Sequence, residues 1–306
     1  MPHAEEEDHM SAASILVLGA TGMLGQALMT TGRAQGMQML GAARTGTNRV
    51  LDIEDTEALA NLIANTRPAI IINAAALAGV ALCEREPGRA YAVNARCVAV
   101  LAEAARACGA WLVQVSTDHY FSGDGCTAHG ELSTVRLLNE YARSKYAGES
   151  FALTYPGALV LRTNIVGFRG HGTPTFVEWI LNELKQEKTI QAFDDYFVSS
   201  LTVRQFSVAL FDLLPKRPTG ILNLGARNVF SKKSFIEGVR DSLMDGSGRI
   251  ESASVDILTG CRRAESLGLD VSRAEQILGR PLPTLAEVVA NLAVEFQERK
   301  SCVTIV

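Results

Sequence analysis

Ser14-Ile-Leu-Val-Leu18 runs directly into Gly19-Ala-Thr-Gly22-Met-Leu-Gly25, and this junction decides the fold. The first five residues are a short apolar run of the kind that forms a strand buried on both faces. The glycines then allow a tight turn, a close approach of backbone to a pyrophosphate, and close packing of a helix over Thr21 to Ala34. Free N–H groups at that helix start favour an anion. The spacing is GxxGxxG, and a bare glycine triplet also serves ordinary turns. Its place between a clear strand and a clear helix marks a dinucleotide cradle, with Gly19, Thr21, Gly22, Met23, Leu24 and Gly25 as its residues.

Outward from that junction, strand and helix alternate. Gln38 to Ala43, Ala69 to Asn73, Trp111 to Val115 and Ala158 to Arg162 read as further strands. Helices are expected over Thr56 to Asn65 with Asp55 as N-cap, over Arg89 to Cys108 closed by Gly109, and over Asn139 to Thr154. The pattern predicts an α/β fold, a Rossmann-type doubly wound parallel sheet with right-handed crossovers. Beyond Gly167 the rhythm loosens, with helices over Thr175 to Gln186, Val203 to Leu214 and Ser234 to Met244. A last amphipathic helix follows Pro281-Leu-Pro283 and runs to about Glu298. Residues 14–166 are therefore expected to form the NAD(P)-binding domain and 167–306 mainly a smaller C-terminal substrate-binding lobe. A strand over Gly220 to Leu224 is expected to return to the sheet. Residues 1–13 carry Glu5, Glu6, Glu7 and Asp8 and read as a disordered acidic tail.

The 306 residues are 47% hydrophobic and 20% charged, an ordinary globular balance. With 29 basic and 33 acidic side chains the net charge is −4, which gives no broad electrostatic claim on nucleic acid or an anionic membrane. The longest weakly polar run, Ala69 to Cys83, falls short of the ~20 residues a span needs. Six cysteines are scattered without a CxxC pair, so neither a zinc site nor a disulfide framework is indicated. The expectation is a cytoplasmic homodimer with no metal and no nucleic-acid or membrane partner.

Arg44 follows the second strand, where an NAD site commonly carries an acid and an NADP site an arginine for the 2′-phosphate. A solvated loop arginine is the bland alternative. Asp52 is expected to accept from the adenine amine while Ile53 packs on the ring. Asn73, Ala74, Ala75 and Ala76 end the third strand with small side chains that let a cofactor run along the sheet edge, though the alanines could equally be packing residues. Tyr141 and Lys145, four apart, share one helix face. An ammonium beside the phenol is expected to favour the phenolate and ease proton exchange with a substrate oxygen. Thr117, just past the fourth strand, can hold the same oxygen, and Val115, Tyr141 and Lys145 are also expected to contact the cofactor. A YxxxK spacing by itself also occurs as a surface helix pair.

Together these residues resemble the extended short-chain dehydrogenase/reductase family, most closely its dTDP-4-dehydrorhamnose reductase-like branch. Arg67-Pro-Ala-Ile-Ile-Ile-Asn-Ala-Ala75, Cys83-Glu-Arg-Glu-Pro87, Ala92-Val-Asn94, Val115-Ser-Thr-Asp118, Leu161-Arg-Thr163, Leu269-Asp270 and Leu278-Gly279-Arg280 carry the likeness beside the glycine loop and YxxxK. It runs from about Ser14 to Gln297. The resemblance implies Thr117, Tyr141 and Lys145 as catalytic trio, NADPH as preferred cofactor with NADH as a second, and reduction of the 4-keto group of a nucleotide-activated deoxysugar. Ser116, Asp118, His119, Asn164 and Arg263 are the residues placed toward that sugar, His119 as wall or packing. The chain departs from the branch at His119, at Ala142 where glycine is common, at Asp194-Asp-Tyr-Phe-Val-Ser-Ser200 and at Ala264 after Arg263. These departures cluster in the substrate lobe, so they bear on which sugar is taken. A 4-epimerase or 4,6-dehydratase of the same superfamily is the enzymatic alternative, and the missing acidic pair after Thr117 argues against the dehydratase. A nucleotide-binding regulatory subunit is the non-catalytic one.

Overall fold

A computed structural model describes residues 14–258 and 260–303; the acidic stretch 1–13 lies outside them. Strands β1 (Ile15–Leu18), β2 (Met39–Ala43), β3 (Arg49–Val50), β4 (Ile70–Asn73), β5 (Trp111–Val115), β6 (Ala158–Arg162) and β7 (Gly220–Asn223) form one parallel sheet. Their order is β7-β6-β5-β4-β1-β2-β3. Leu18 pairs with Ala42 on one side and with Asn73 on the other. The chain thus reverses direction across the sheet at β1, and the crevice at the carboxyl ends of β1 and β4 is where doubly wound sheets bind ligands.

Alternate residues of each strand enter two different cores. Ile15, Val17, Ile70, Ile72, Val113 and Leu159 join the core on one face. Leu16, Leu18, Ile71, Leu112 and Val160 join the other, against Leu59 and Ile63 of helix α2 (Thr56–Thr66). That explains why these strands are near-continuous apolar runs. Asp55 accepts from Ala58 N at 3.0 Å as the N-cap of α2. Helix α3 (Cys97–Cys108) ends at Gly109, whose φ of 70° is the left-handed cap.

The helix expected over Arg89 to Cys108 is interrupted. A short helix Pro87–Tyr91 passes through a π turn at Ala92–Arg96 before α3 begins. The wider turn swings Asn94 inward, where its amide accepts from Leu77 N at 2.9 Å and donates to Leu77 O at 3.1 Å and Ser144 Oγ at 3.0 Å. These bonds fix the stretch that follows β4. Strand β3 was not anticipated at all, and β7 pairs with β6 in parallel register.

After β6 come helices Phe176–Lys185, Val203–Leu213, Lys232–Leu243 and Leu285–Val303, with short strand pairs between them. Ile190–Phe193 pairs with Ile250–Ala253. Their buried residues, among them Phe206, Phe235 and Leu292, are continuous with the core on one sheet face. Among the described residues no helix is long and apolar enough to cross a membrane.

Candidate active site

A cavity of about 390 Å³ opens at the carboxyl ends of β1, β2 and β4. Gly19 has φ +76°, and a Cβ there would lie 2.9 Å from Ala75 Cα. A Cβ on Gly25 would come 2.1 Å from Gly19 O. The loop is thus pressed between the helix start and the end of β4, a cradle that side chains would fill. Gly19, Thr21, Gly22, Ala74, Ala75 and Ala76 line the cavity, as do Arg44, Asp52 and Ile53. The residues present therefore fit a dinucleotide.

Four residues expected to contact the cofactor, Met23, Leu24, Asn73 and Val115, are not in the lining of this cavity. Leu24 is buried in the core and Met23 packs against it, so both can offer only backbone N–H groups at the start of the helix Met23–Ala34. Asn73 turns inward, donating to Gln114 Oε1 at 2.8 Å and accepting from Ala75 N at 3.2 Å. Val115 spends its carbonyl on Lys145 Nζ at 2.7 Å. The same cavity is walled by Arg89 and Arg169, which the sequence reading passed over, and by His171, which in its Gly-rich loop reads as a solvated or rim residue. Arg89 is paired with Glu54 at 3.0 Å. Arg169 and His171 sit in a Gly-rich run after β6, a basic loop whose destination the local sequence does not reveal.

Proton-transfer groups stand beside it. The helix Glu140–Ala152 is N-capped by Asn139, which accepts from Ala142 N at 2.9 Å, and carries Tyr141 and Lys145 on its inward face. Both are buried, and near the phenol stands the Thr117 hydroxyl, which donates to Asp118 Oδ1 at 3.5 Å and accepts from His119 N at 3.2 Å. Burial pushes the phenol up to about 12, with the Thr117 hydroxyl acting the other way. The expected lowering by Lys145 is not found: desolvation dominates the phenol, and the ammonium is held on Val115 O. Burial also brings Lys145 down to about 8, partly offset by the Glu149 carboxylate.

Ser116 is a further correction. It faces the interior, where its hydroxyl donates to Glu149 Oε1 at 2.5 Å and meets Tyr120 OH at 3.2 Å. Asp118, His119 and Asn164 do lie at the site. Asn164 donates to Asp118 Oδ2 at 2.8 Å and accepts from Ser200 Oγ at 2.6 Å. The His119 ring meets Tyr141 edge-on at 5.5 Å. Beyond His119 lies a second cavity of about 120 Å³, walled by Phe176, Tyr196, Ser200 and Lys232. Lys232 stands 4.0 Å over the Tyr196 ring. Arg263 is exposed, and its charge acts on His119 and Lys232.

Asp118 is fully enclosed, and burial raises its carboxyl from 3.8 to about 7. A carboxyl with a raised folded-state value holds its proton more tightly in the native state. Its contribution to stability is complete below about pH 4 and is lost as pH rises toward 7. Asp118→Asn should therefore gain stability over the wild type at about pH 7 and not at about pH 4. Urea unfolding at both pH values reads this, and an equal difference at the two would refute it.

The profile of the family described as RmlD substrate binding domain matches residues 13–298. The probable low-salt glycan biosynthesis reductase Agl14 of Haloferax volcanii is 28% identical, over 93% of this chain and 99% of its own length. A dTDP-4-dehydrorhamnose reductase of Streptomyces griseus is 37% identical over 59% of this chain and 58% of that enzyme. The crystal structure of a Bacillus anthracis dTDP-4-dehydrorhamnose reductase in complex with NADP superposes with a TM-score of 0.83, covering 92% of this chain and 99% of that one at 23% identity. At that identity the likeness is one of fold.

Proposed function

The chain belongs to the RmlD substrate binding domain family, and from that premise we propose that it is an NAD(P)H-dependent reductase of the 4-keto group of a nucleotide-activated deoxysugar, with Tyr141 as proton donor. One observation carries this most directly. A protonated, buried phenol close to Thr117 stands one helical turn from Lys145, beside a cavity built on a glycine loop.

A reduced nicotinamide bound there supplies a hydride to the carbonyl carbon. Thr117 holds the carbonyl oxygen by its hydroxyl, and Tyr141 hands that oxygen its phenolic proton. Lys145 stabilises the phenolate left behind, being a cation on the same helix face. The enclosure of all three keeps water from competing for the oxygen. Ser116, Tyr120, Glu149 and Arg162 form the buried support beneath them. The sugar is assigned to the side of His119 and Asn164, with the cavity at Lys232 receiving a ring substituent.

Five cysteines among the described residues are free thiols, as in a reducing cytoplasm. Assembly as a homodimer is read by light scattering after size exclusion.

NADPH oxidation followed by absorbance, with dTDP-4-dehydrorhamnose as the keto sugar, tests the activity. A regulatory nucleotide-binding subunit would bind NADPH and show no consumption. Cofactor choice is tested separately. Arg44 lines the cavity where the adenosine ribose of a Rossmann-type cofactor lies, and its fork suits a 2′-phosphate. NADPH should be preferred over NADH; the Bacillus anthracis relative is a complex with NADP. A partly solvated arginine–phosphate contact contributes ~1.5 to 3 kcal/mol, so Arg44→Ala should cut the NADPH over NADH ratio of kcat/KM roughly ten- to a hundredfold. A wild-type ratio at or below unity, or one that Arg44→Ala leaves alone, would refute the assignment.

A further inference from the structure

We infer that Arg169 and His171, carried by the segment that leaves the sheet for the C-terminal lobe, grip the diphosphate of the dinucleotide from the side opposite the glycine loop. This rests on the cofactor assignment above and adds a second set of donors to it. Both side chains wall the same cavity as Gly19, Thr21 and Gly22, although about 150 residues separate them in sequence.

Three observations carry the inference. The loop backbone is held rigidly: Glu178 Oε1 accepts from Arg169 N at 2.8 Å and from Gly170 N at 2.7 Å, while Oε2 accepts from Thr175 N at 2.8 Å. Thr175, the N-cap of the helix Phe176–Lys185, donates its hydroxyl to Gly167 O at 2.7 Å. The guanidinium, by contrast, is only partly used. One terminal nitrogen donates to Thr173 O at 2.7 Å, but Nε is buried without a hydrogen-bond partner. An unpaired buried donor is costly unless a ligand completes it. Finally, His171 Nε2 lies 3.1 Å from Gln26 Nε2, and Gln26 donates to Thr21 O at 2.9 Å. That contact places the loop over the first turn of the glycine-loop helix, where a diphosphate sits, rather than over the adenosine end marked by Arg44 and Asp52.

Charge argues the same way. The glycine loop offers backbone N–H groups and the Thr21 hydroxyl but no cation, and Arg89 is committed to Glu54 and Glu86. With Arg44 at the adenosine end, Arg169 is the cavity arginine with donors to spare over the glycine loop, and a guanidinium fork matches two phosphate oxygens. The same segment begins at Asn164, which bonds Asp118, so a grip on the diphosphate would also tie the C-terminal lobe to the sheet.

Direct binding tests this without turnover. NADPH, NADH and ADP-ribose are titrated into the full chain, with affinity read by fluorescence or calorimetry. Arg169→Ala should raise all three dissociation constants by on the order of tenfold, leaving the NADPH to NADH ratio unchanged. Arg169→Lys keeps the charge but not the fork and should recover part of the loss. His171→Ala should show a smaller loss of the same pattern. Dissociation constants within twofold of wild type would overturn the inference. So would weakening confined to NADPH, which would put Arg169 at the 2′-phosphate. A wild type that binds none of the three probes would instead sink the cofactor assignment itself, and the grip with it.

Discussion

Tyr141→Phe should lower turnover by on the order of 10²-fold or more while leaving dinucleotide affinity nearly intact. The substitution deletes one oxygen from a buried ring and keeps the rest, including the edge-on contact with His119. Tyr141 is not among the residues that wall the adenosine and diphosphate ends of the cavity. What disappears is the proton delivered to the carbonyl oxygen. In the reducing direction the acid must carry its proton at rest, and burial that holds the phenol near 12 ensures this across neutral pH. The partner that titrates earlier is Lys145, near 8. Turnover should accordingly be flat through neutrality and fall as Lys145 loses its charge. A Tyr141→Phe enzyme with near wild-type kcat would mean that another group supplies the proton.

How much of this was legible in the sequence depends on how local each signal is. β5 and β6 are read to the residue because buried apolar runs bounded by turn residues have few other uses. β3 escapes because two residues carry no period, and Val50 is 73% exposed. The π turn escapes because its cause is tertiary: Asn94 reaches Leu77 and Ser144, which no helical pattern announces. Tyr141 and Lys145 are legible since four residues along a helix make one face. Ser116 and Thr117 could have been separated by the same kind of reasoning. Successive side chains at a strand end point to opposite sides, so if Thr117 meets the phenol, Ser116 must turn away. Arg169, His171 and Lys232 are different. Their neighbours at the site come from far along the chain, and only the folded topology brings them there.

The buried pair beneath the catalytic trio should show the largest effect on stability. Arg162 donates to Glu149 at 2.8, 3.1 and 3.2 Å, and both side chains are almost wholly enclosed. Arg162→Met would leave the Glu149 carboxylate inside with the Ser116 hydroxyl as its remaining partner. Removing one member of such a pair costs about 3 to 5 kcal/mol, because the other charge stays desolvated. At roughly 2 to 4 °C per kcal/mol, the melting temperature should fall by about 6 to 20 °C. The double variant Arg162→Met/Glu149→Met should recover most of that loss, since two apolar chains of similar length leave no uncompensated charge. Recovery of stability is not recovery of function, however. Glu149 is the carboxylate that offsets the desolvation of Lys145, so its loss lowers the lysine further. The double variant should melt near the wild type yet lose turnover at lower pH than the wild type does. A single variant melting within about 2 °C of wild type would show that the pair is not what holds this part of the fold. A double variant with an unshifted pH profile would show that Glu149 does not act on Lys145.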